Sequence, residues 1–182
     1  GVLPQEGLVS ITSVCDVAWG SGDFTAVPIA FVYDDDSVYI ADVVYNKGDK
    51  KITQPLVARK LQQWNVAECD FERNNGGKEY KDGVQEELDR IGYSCLLTDH
   101  TARQDQKKDI RIFQHAPTVR TWYFLESGKR SAEYSQFMMG LFSFKVLGRN
   151  KNDDAPDSLS MLADKLDAKK GSLKIRVFRR PF

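Results

Sequence analysis

The sequence predicts an α/β fold built on a central mixed sheet of the five-stranded type, and three observations carry that reading. Residues 9–15, 24–33 and 37–45 are strand-prone runs separated by the turns Gly20-Ser21-Gly22-Asp23 and Asp34-Asp35-Asp36, the pattern of an antiparallel meander. Two segments of helical period, 52–64 and 78–91, then alternate with two short strand-like runs, 65–72 and 93–98. Finally, a helix that crosses between two strands leaves them parallel, so the run at 65–72 is expected beside the first strand and parallel to it.

Each element has its own signal. Val9, Ile11, Thr12 and Val14 are β-branched and suit a pleated strand; Asp16 closes that run at the glycine-rich turn. In the first helix Leu56, Val57, Lys60, Leu61 and Trp64 recur at helical spacing, with Thr53 as an N-cap candidate and Pro55 tolerated in the first turn. Glu72 ends the fourth strand, and Arg73-Asn74-Asn75-Gly76-Gly77 breaks the chain sharply. Tyr80, Val84, Leu88 and Ile91 mark one face of the second helix. The resulting order, βββαβαβ, is that of an RNase H-like core. Beyond it, residues 104–114 read as a helix ended by Ala116-Pro117, and 119–125 alternate like a hairpin strand pair. Residues 131–142 read as an amphipathic helix whose Tyr134, Phe137 and Phe142 suit a core better than a base-stacking platform. Asn152-Asp153-Asp154-Ala155-Pro156-Asp157 opens a last helix through Leu159, Leu162 and Leu166.

Composition narrows the class. A chain of 182 residues, 41% hydrophobic and 29% charged, suits one soluble globular domain. No apolar run approaches the ~20 residues that span a bilayer, and no signal-peptide pattern opens the chain. Gly1-Val2-Leu3-Pro4 lacks an initiator Met, which suggests a piece of something longer. Cys15, Cys69 and Cys95 sit in apolar runs without CxxC spacing and read as buried thiols; with only His100 and His115 besides, a structural zinc site is not expected. The net charge of zero is unevenly spread. Lys169, Lys170, Lys174, Arg176, Arg179 and Arg180 crowd the end, and Arg103, Lys107, Lys108, Arg111 and Arg120 lie mid-chain. Basic groups opposite carboxylates suit an enzyme that holds a polyanion and cuts it through metal ions; a solvated basic tail is the plain alternative.

The acids carry the chemistry. If the first and fourth strands are neighbours, Asp16 and Glu72 emerge at one sheet edge, where open α/β sheets place their ligands. A turn aspartate and a carboxylate paired with Arg73 or Arg90 are the bland readings of these two. Asp153 or Asp154 can cap the last helix, but capping explains one aspartate and not three in five residues. Asp154 and Asp157 are three apart and share a helix face. Two carboxylates ~4 Å apart repel by roughly 4 kcal/mol at an effective dielectric near 20, so such a cluster needs counter-charge, which hard divalent cations supply.

Taken in order, Asp16 with Gly22-Asp23, the turn Phe71-Glu72-Arg73-Asn74-Asn75-Gly76-Gly77, Lys108-Asp109-Ile110-Arg111-Ile112 and Asp153-Asp154-Ala155-Pro156-Asp157-Ser158-Leu159 resemble the C-terminal nuclease domain of the large terminase subunit of tailed bacteriophages. The resemblance spans about residues 10–166. It implies a metal-dependent endonuclease that cuts concatemeric viral DNA when packaging begins and ends, in the cytoplasm of the infected bacterium. It places the catalytic acids on Asp16, Glu72 and the Asp154/Asp157 pair, leaving open which member of that pair is primary; many relatives have His near the position of Asn152. The implied chemistry is two-metal phosphodiester hydrolysis with Mg²⁺ or Mn²⁺. Asp16 bridges the two ions, Glu72 and Asp157 hold one each, Asp154 assists, and Asp23 and Asp153 support the ligands from behind. Lys107, Lys108, Arg111 and Arg120 are the expected phosphate contacts. Residues 1–182 read as a single nuclease domain, with 1–8 a linker from a preceding ATPase domain and 168–182 a basic tail. The implied partners are double-stranded DNA and, in the full-length protein, that ATPase domain, the portal and the small terminase subunit, with no membrane. No Walker A loop is present, so ATP hydrolysis is not expected. A resolvase or transposase would share fold and acids; a non-cleaving DNA-binding or motor-docking module is the reading from a different class.

Overall fold

Alternation along the strands decides which helices cover which side of the sheet. In the computed structural model, which describes residues 2–18, 22–72, 77–100, 107–145, 150 and 152–171, strands β1 (Leu8–Cys15), β2 (Thr25–Tyr33) and β3 (Val38–Asn46) form the antiparallel meander. Strand β4 (Glu68–Glu72) pairs with β1 in parallel, and β5 (Leu96–His100) pairs with β4 in parallel. A two-residue strand, β6 (Tyr123–Phe124), adds to β3, giving the order β5-β4-β1-β2-β3-β6. The mixed sheet predicted with five strands therefore has six, and its architecture is RNase H-like.

Helices α1 (Lys50–Gln63) and α2 (Gly77–Arg90) cover one face, where Val57, Leu61, Tyr80, Val84 and Leu88 pack against Cys15, Ile29 and Phe71. The other face carries α4 (Ala132–Ser143) and α5 (Asp154–Gly171), whose Tyr134, Phe137, Leu159 and Leu162 pack on Val14, Ala26, Ile40 and Tyr45. Helix α3 (Lys108–Val119) lies on α5. The three cysteines are free and buried, and burial holds their thiols above the ordinary range. No helix among the described residues is long and apolar enough to cross a membrane. Residues 2–7 lie along the domain rather than away from it: the Tyr33 hydroxyl donates to the Pro4 carbonyl at 2.9 Å, and Asp34 N–H to the Gly7 carbonyl at 2.8 Å.

Four sequence expectations need correction. Helix α1 starts earlier, capped by Asp49, whose carboxylate accepts from Lys51 N at 2.9 Å and Ile52 N at 3.3 Å. The buried Thr53 instead donates its hydroxyl back to the Asp49 carbonyl at 3.0 Å. Strands β4 and β5 start three residues late, because Asn65 (φ 51) and Gly92 (φ 67) turn the chain after each helix in the left-handed region. The predicted hairpin strand pair at 119–125 is a single short strand: α3 runs through Pro117 to Val119, residues 120–122 turn, and Tyr123–Phe124 alone is extended, as β6, while Val119 and Trp122 enter the core. Phe142, in the last turn of α4, is exposed. Gly20, Ser21, Arg73 to Gly76, Arg103, residues 104–106 of the predicted helix and the basic tail from 172 lie outside the described residues, as does the side chain of His100.

Candidate metal centre

The register of two parallel strands brings the first two acids together. Thr12 lies opposite Glu68, Val14 opposite Asp70 and Cys15 opposite Phe71; one step further on each strand stand Asp16 and Glu72. Strand side chains alternate. Cys15 and Phe71 enter the α1/α2 core while Val14 meets α5, so Asp16 and Glu72 emerge on the α5 side. There the chain starts a helix: Asp157 N–H closes on the Asp153 carbonyl at 3.0 Å, and Pro156 occupies the first turn, where its missing N–H costs nothing. Asp154 and Asp157 fall in that turn, where the helix dipole favours negative charge.

One carboxylate oxygen from each of Asp16, Glu72 and Asp157 lies within 4.8 Å of the other two. Asp157 is 2% exposed. Asp154 turns elsewhere: its Oδ2 accepts from Phe24 N at 3.2 Å, fastening the entry to β2. Asp153 pairs with Lys108 at 2.9 Å, and Asp23 is exposed. Two of the four cations expected on phosphate face the acids instead of solvent. Lys108 Nζ is 3.0 Å from Asp157 and 3.9 Å from Asp16. Arg111 holds Asp157 through Nε, at 3.2 Å, and through its terminal nitrogen, which also lies 3.5 Å from Glu72. Lys107 and Arg120 are exposed.

Burial pushes the Asp16 carboxyl well above the usual carboxylate range; Lys108 pulls it down, and Asp157, Asp154 and Glu72 push it further up. Burial also raises Asp154. For Lys108 and Arg111 burial acts in the opposite sense and favours the neutral form, yet Asp16, Asp157, Asp153 and Glu72 outweigh it and hold both cations above their ordinary values. Among the described residues Asp16 Oδ2 is buried without a hydrogen-bond partner, since Lys108 stands beyond bonding distance. A buried, unpartnered carboxylate oxygen facing two more carboxylates is a hard-oxygen donor set that fits a divalent cation. Sequence reasoning located these acids and missed that Lys108 and Arg111 turn onto them; the available signal was their separation by three on one helix face.

No protein-family model and no curated protein matches the chain. Solved structures do. The terminase nuclease domain of human cytomegalovirus, soaked with manganese and bound to an inhibitor, superposes with a TM-score of 0.62 at 10% identity, over 96% of this chain and 89% of that one. The nuclease domain of the large terminase subunit of bacterial virus Sf6 gives 0.58 at 9% identity, over 86% and 88%. The chain has the fold of the terminase nuclease domains. The fowlpox virus Holliday junction resolvase has a similar fold, at a TM-score of 0.56 and 12% identity over 87% of this chain and 99% of that one. At these identities the likeness is one of fold.

Proposed function

We propose that this chain is a divalent-metal-dependent endodeoxyribonuclease domain of the terminase type, cutting double-stranded viral DNA during packaging. The observation that carries the reading is the trio of buried Asp157 and half-buried Asp16 and Glu72, with its unpartnered Asp16 oxygen, at the carboxyl ends of two adjacent parallel strands. The manganese-soaked cytomegalovirus domain and an Sf6 domain solved with manganese support the choice of cofactor. When bound, Mg²⁺ or Mn²⁺ supplies Lewis acidity toward a phosphodiester and lowers the pKa of water. Asp16, Glu72 and Asp157 would hold a pair of such ions.

The remaining residues shape and charge the cleft. Asp154 fixes the β2 entry beside the trio, and Asp153 orients Lys108; Asp23 adds negative charge near Asp154. Lys108 and Arg111 neutralise the acids at rest and offer the same charge to a phosphate entering the cleft. Lys107 and Arg120, exposed just before and just past α3, would meet flanking phosphates, which position DNA without reading its sequence. In this reading the domain works in the infected bacterial cytoplasm beside an ATPase domain, the portal and the small terminase subunit. A resolvase-type nuclease is the second reading, favoured by the fowlpox superposition. A non-cleaving module has no use for acids beside a phosphate-binding groove.

Supercoiled plasmid incubated with Mn²⁺ tests the proposal. Wild type should nick and linearise it, while Asp16→Asn, Glu72→Gln and Asp157→Asn, each checked for folding by circular dichroism, should lose cleavage and still bind DNA. An inert wild type, or full activity in any variant, contradicts the assignment. Preferential cutting of a four-way junction would favour the resolvase reading.

A further inference from the structure

Behind the carboxylate trio, a second set of charges joins the same three elements. Lys165 lies on α5 two helical turns beyond Asp157 and is 9% exposed. Its ammonium reaches the Asp70 carboxylate at 2.7 Å, the Ser13 carbonyl at 3.3 Å and the Glu68 carboxylate at 3.3 Å. Ser13 lies on β1 three residues before Asp16, and Asp70 lies on β4 two residues before Glu72. Asp70 also accepts from the Thr98 hydroxyl of β5. Glu68 takes the Thr12 hydroxyl at 3.2 Å and the Lys169 ammonium.

A buried lysine is costly unless its charge is met, and an apolar side chain would fill this position beside Leu162 and Leu166 at no such cost. What the charges add is direction. The apolar contacts of Leu159 and Leu162 with the sheet hold α5 down, but the hydrophobic effect behind them is non-directional. A shift of one residue along α5 advances a side chain by about 1.5 Å and turns it by about 100°, which would carry Asp157 out of reach of Asp16 and Glu72. One ammonium bonded to both strands and mounted on the helix fixes that rotation.

We propose that Lys165 is a positioning residue for the metal centre: by pinning α5 to β1 and β4 at once, it sets the spacing of Asp157 from Asp16 and Glu72 and hence the affinity for a divalent ion. The inference rests on the reading that those three acids hold the metal. Calorimetric titration with Mn²⁺, below the melting temperature of every protein used, tests it on wild type, Lys165→Met, the double variant Lys165→Met/Asp70→Asn, Asp16→Asn and Leu88→Ala. The double variant removes the charge that Lys165→Met alone would strand. Leu88→Ala loosens the opposite core and touches nothing at the site.

Both Lys165 variants should bind Mn²⁺ about tenfold more weakly than wild type, or worse, while Leu88→Ala binds as wild type. Wild-type affinity in the Lys165 variants, with Asp16→Asn binding lost, overturns the positioning role and leaves the trio intact. Wild-type affinity in Asp16→Asn overturns the trio itself, and this inference with it. An equal loss in Leu88→Ala overturns the role by making loose packing a sufficient cause. Failure of both Lys165 variants to fold also overturns it, because Lys165 is then a purely structural residue.

Discussion

Burial opposes a charge on Asp16, and the cations of α3 compensate only in part. Its carboxyl is raised by burial first and by its acidic neighbours next, against the pull of Lys108. The unfolded chain returns it to ~3.9. A folded pKa above the unfolded one makes this group's contribution to the metal-free fold fully favourable below about pH 4, and that contribution is lost as pH rises through the raised value. Melting wild type and Asp16→Asn in EDTA across that range should show wild type losing ground to the variant as pH climbs; a pH-independent gap contradicts the shift. Arg111 is the converse case, a cation whose removal strands a buried acid. Asp157 keeps Lys108, so Arg111→Met should destabilise the metal-free domain by up to about 3 kcal/mol, and Mn²⁺ should recover much of it. An unchanged melting temperature in EDTA would show that Arg111 carries no stabilising charge at the site.

Among the elements, those with a regular period were legible and those set by one local hydrogen bond were not. The meander and the α1/α2 faces follow from apolar spacing, and the parallel placement of β4 follows from the helix between it and the meander; all are present. The start of α1 rests on Asp49 accepting two backbone N–H groups, and Asn46 to Lys51 reads as a polar loop until that geometry is seen. Asp49→Ala should therefore cost about 1 kcal/mol, a drop in melting temperature of roughly 2–4 °C; no drop would mean that the turn forms without its cap. The last turn of α3 is missed in the sequence because Pro117 reads as a stop. So near the C-terminus it removes one hydrogen bond, and Arg120 N–H still closes on the Ala116 carbonyl at 3.1 Å.

For the molecule as a whole, element order was enough to reach the RNase H-like architecture and to bring Asp16 to Glu72, since both depend on which strands neighbour each other. Asp157 joined them because α5 had to cover the α4 side of the sheet with its apolar face. The inward turn of Lys108 and Arg111 was not legible: α3 meets the sheet through α5, so its rotation depends on packing between helices that no strand register fixes. Lys165 was hidden for another reason: it is a charge inside an apolar helix face, bonded to the sheet beneath it. All of these readings converge on one claim, that Asp16, Glu72 and Asp157 form a divalent-metal centre. It is tested most directly by thermal melting of wild type and Asp16→Asn, each in EDTA and in Mn²⁺. Metal bound only by the folded form adds about 2.7 kcal/mol at a hundredfold excess over Kd, or roughly 5–10 °C for a domain of this size. Wild type should show that shift; Asp16→Asn should lose most of it while melting at or above wild type in EDTA near neutral pH. A variant that keeps the full Mn²⁺ shift, or that melts far below wild type in EDTA, would contradict the claim.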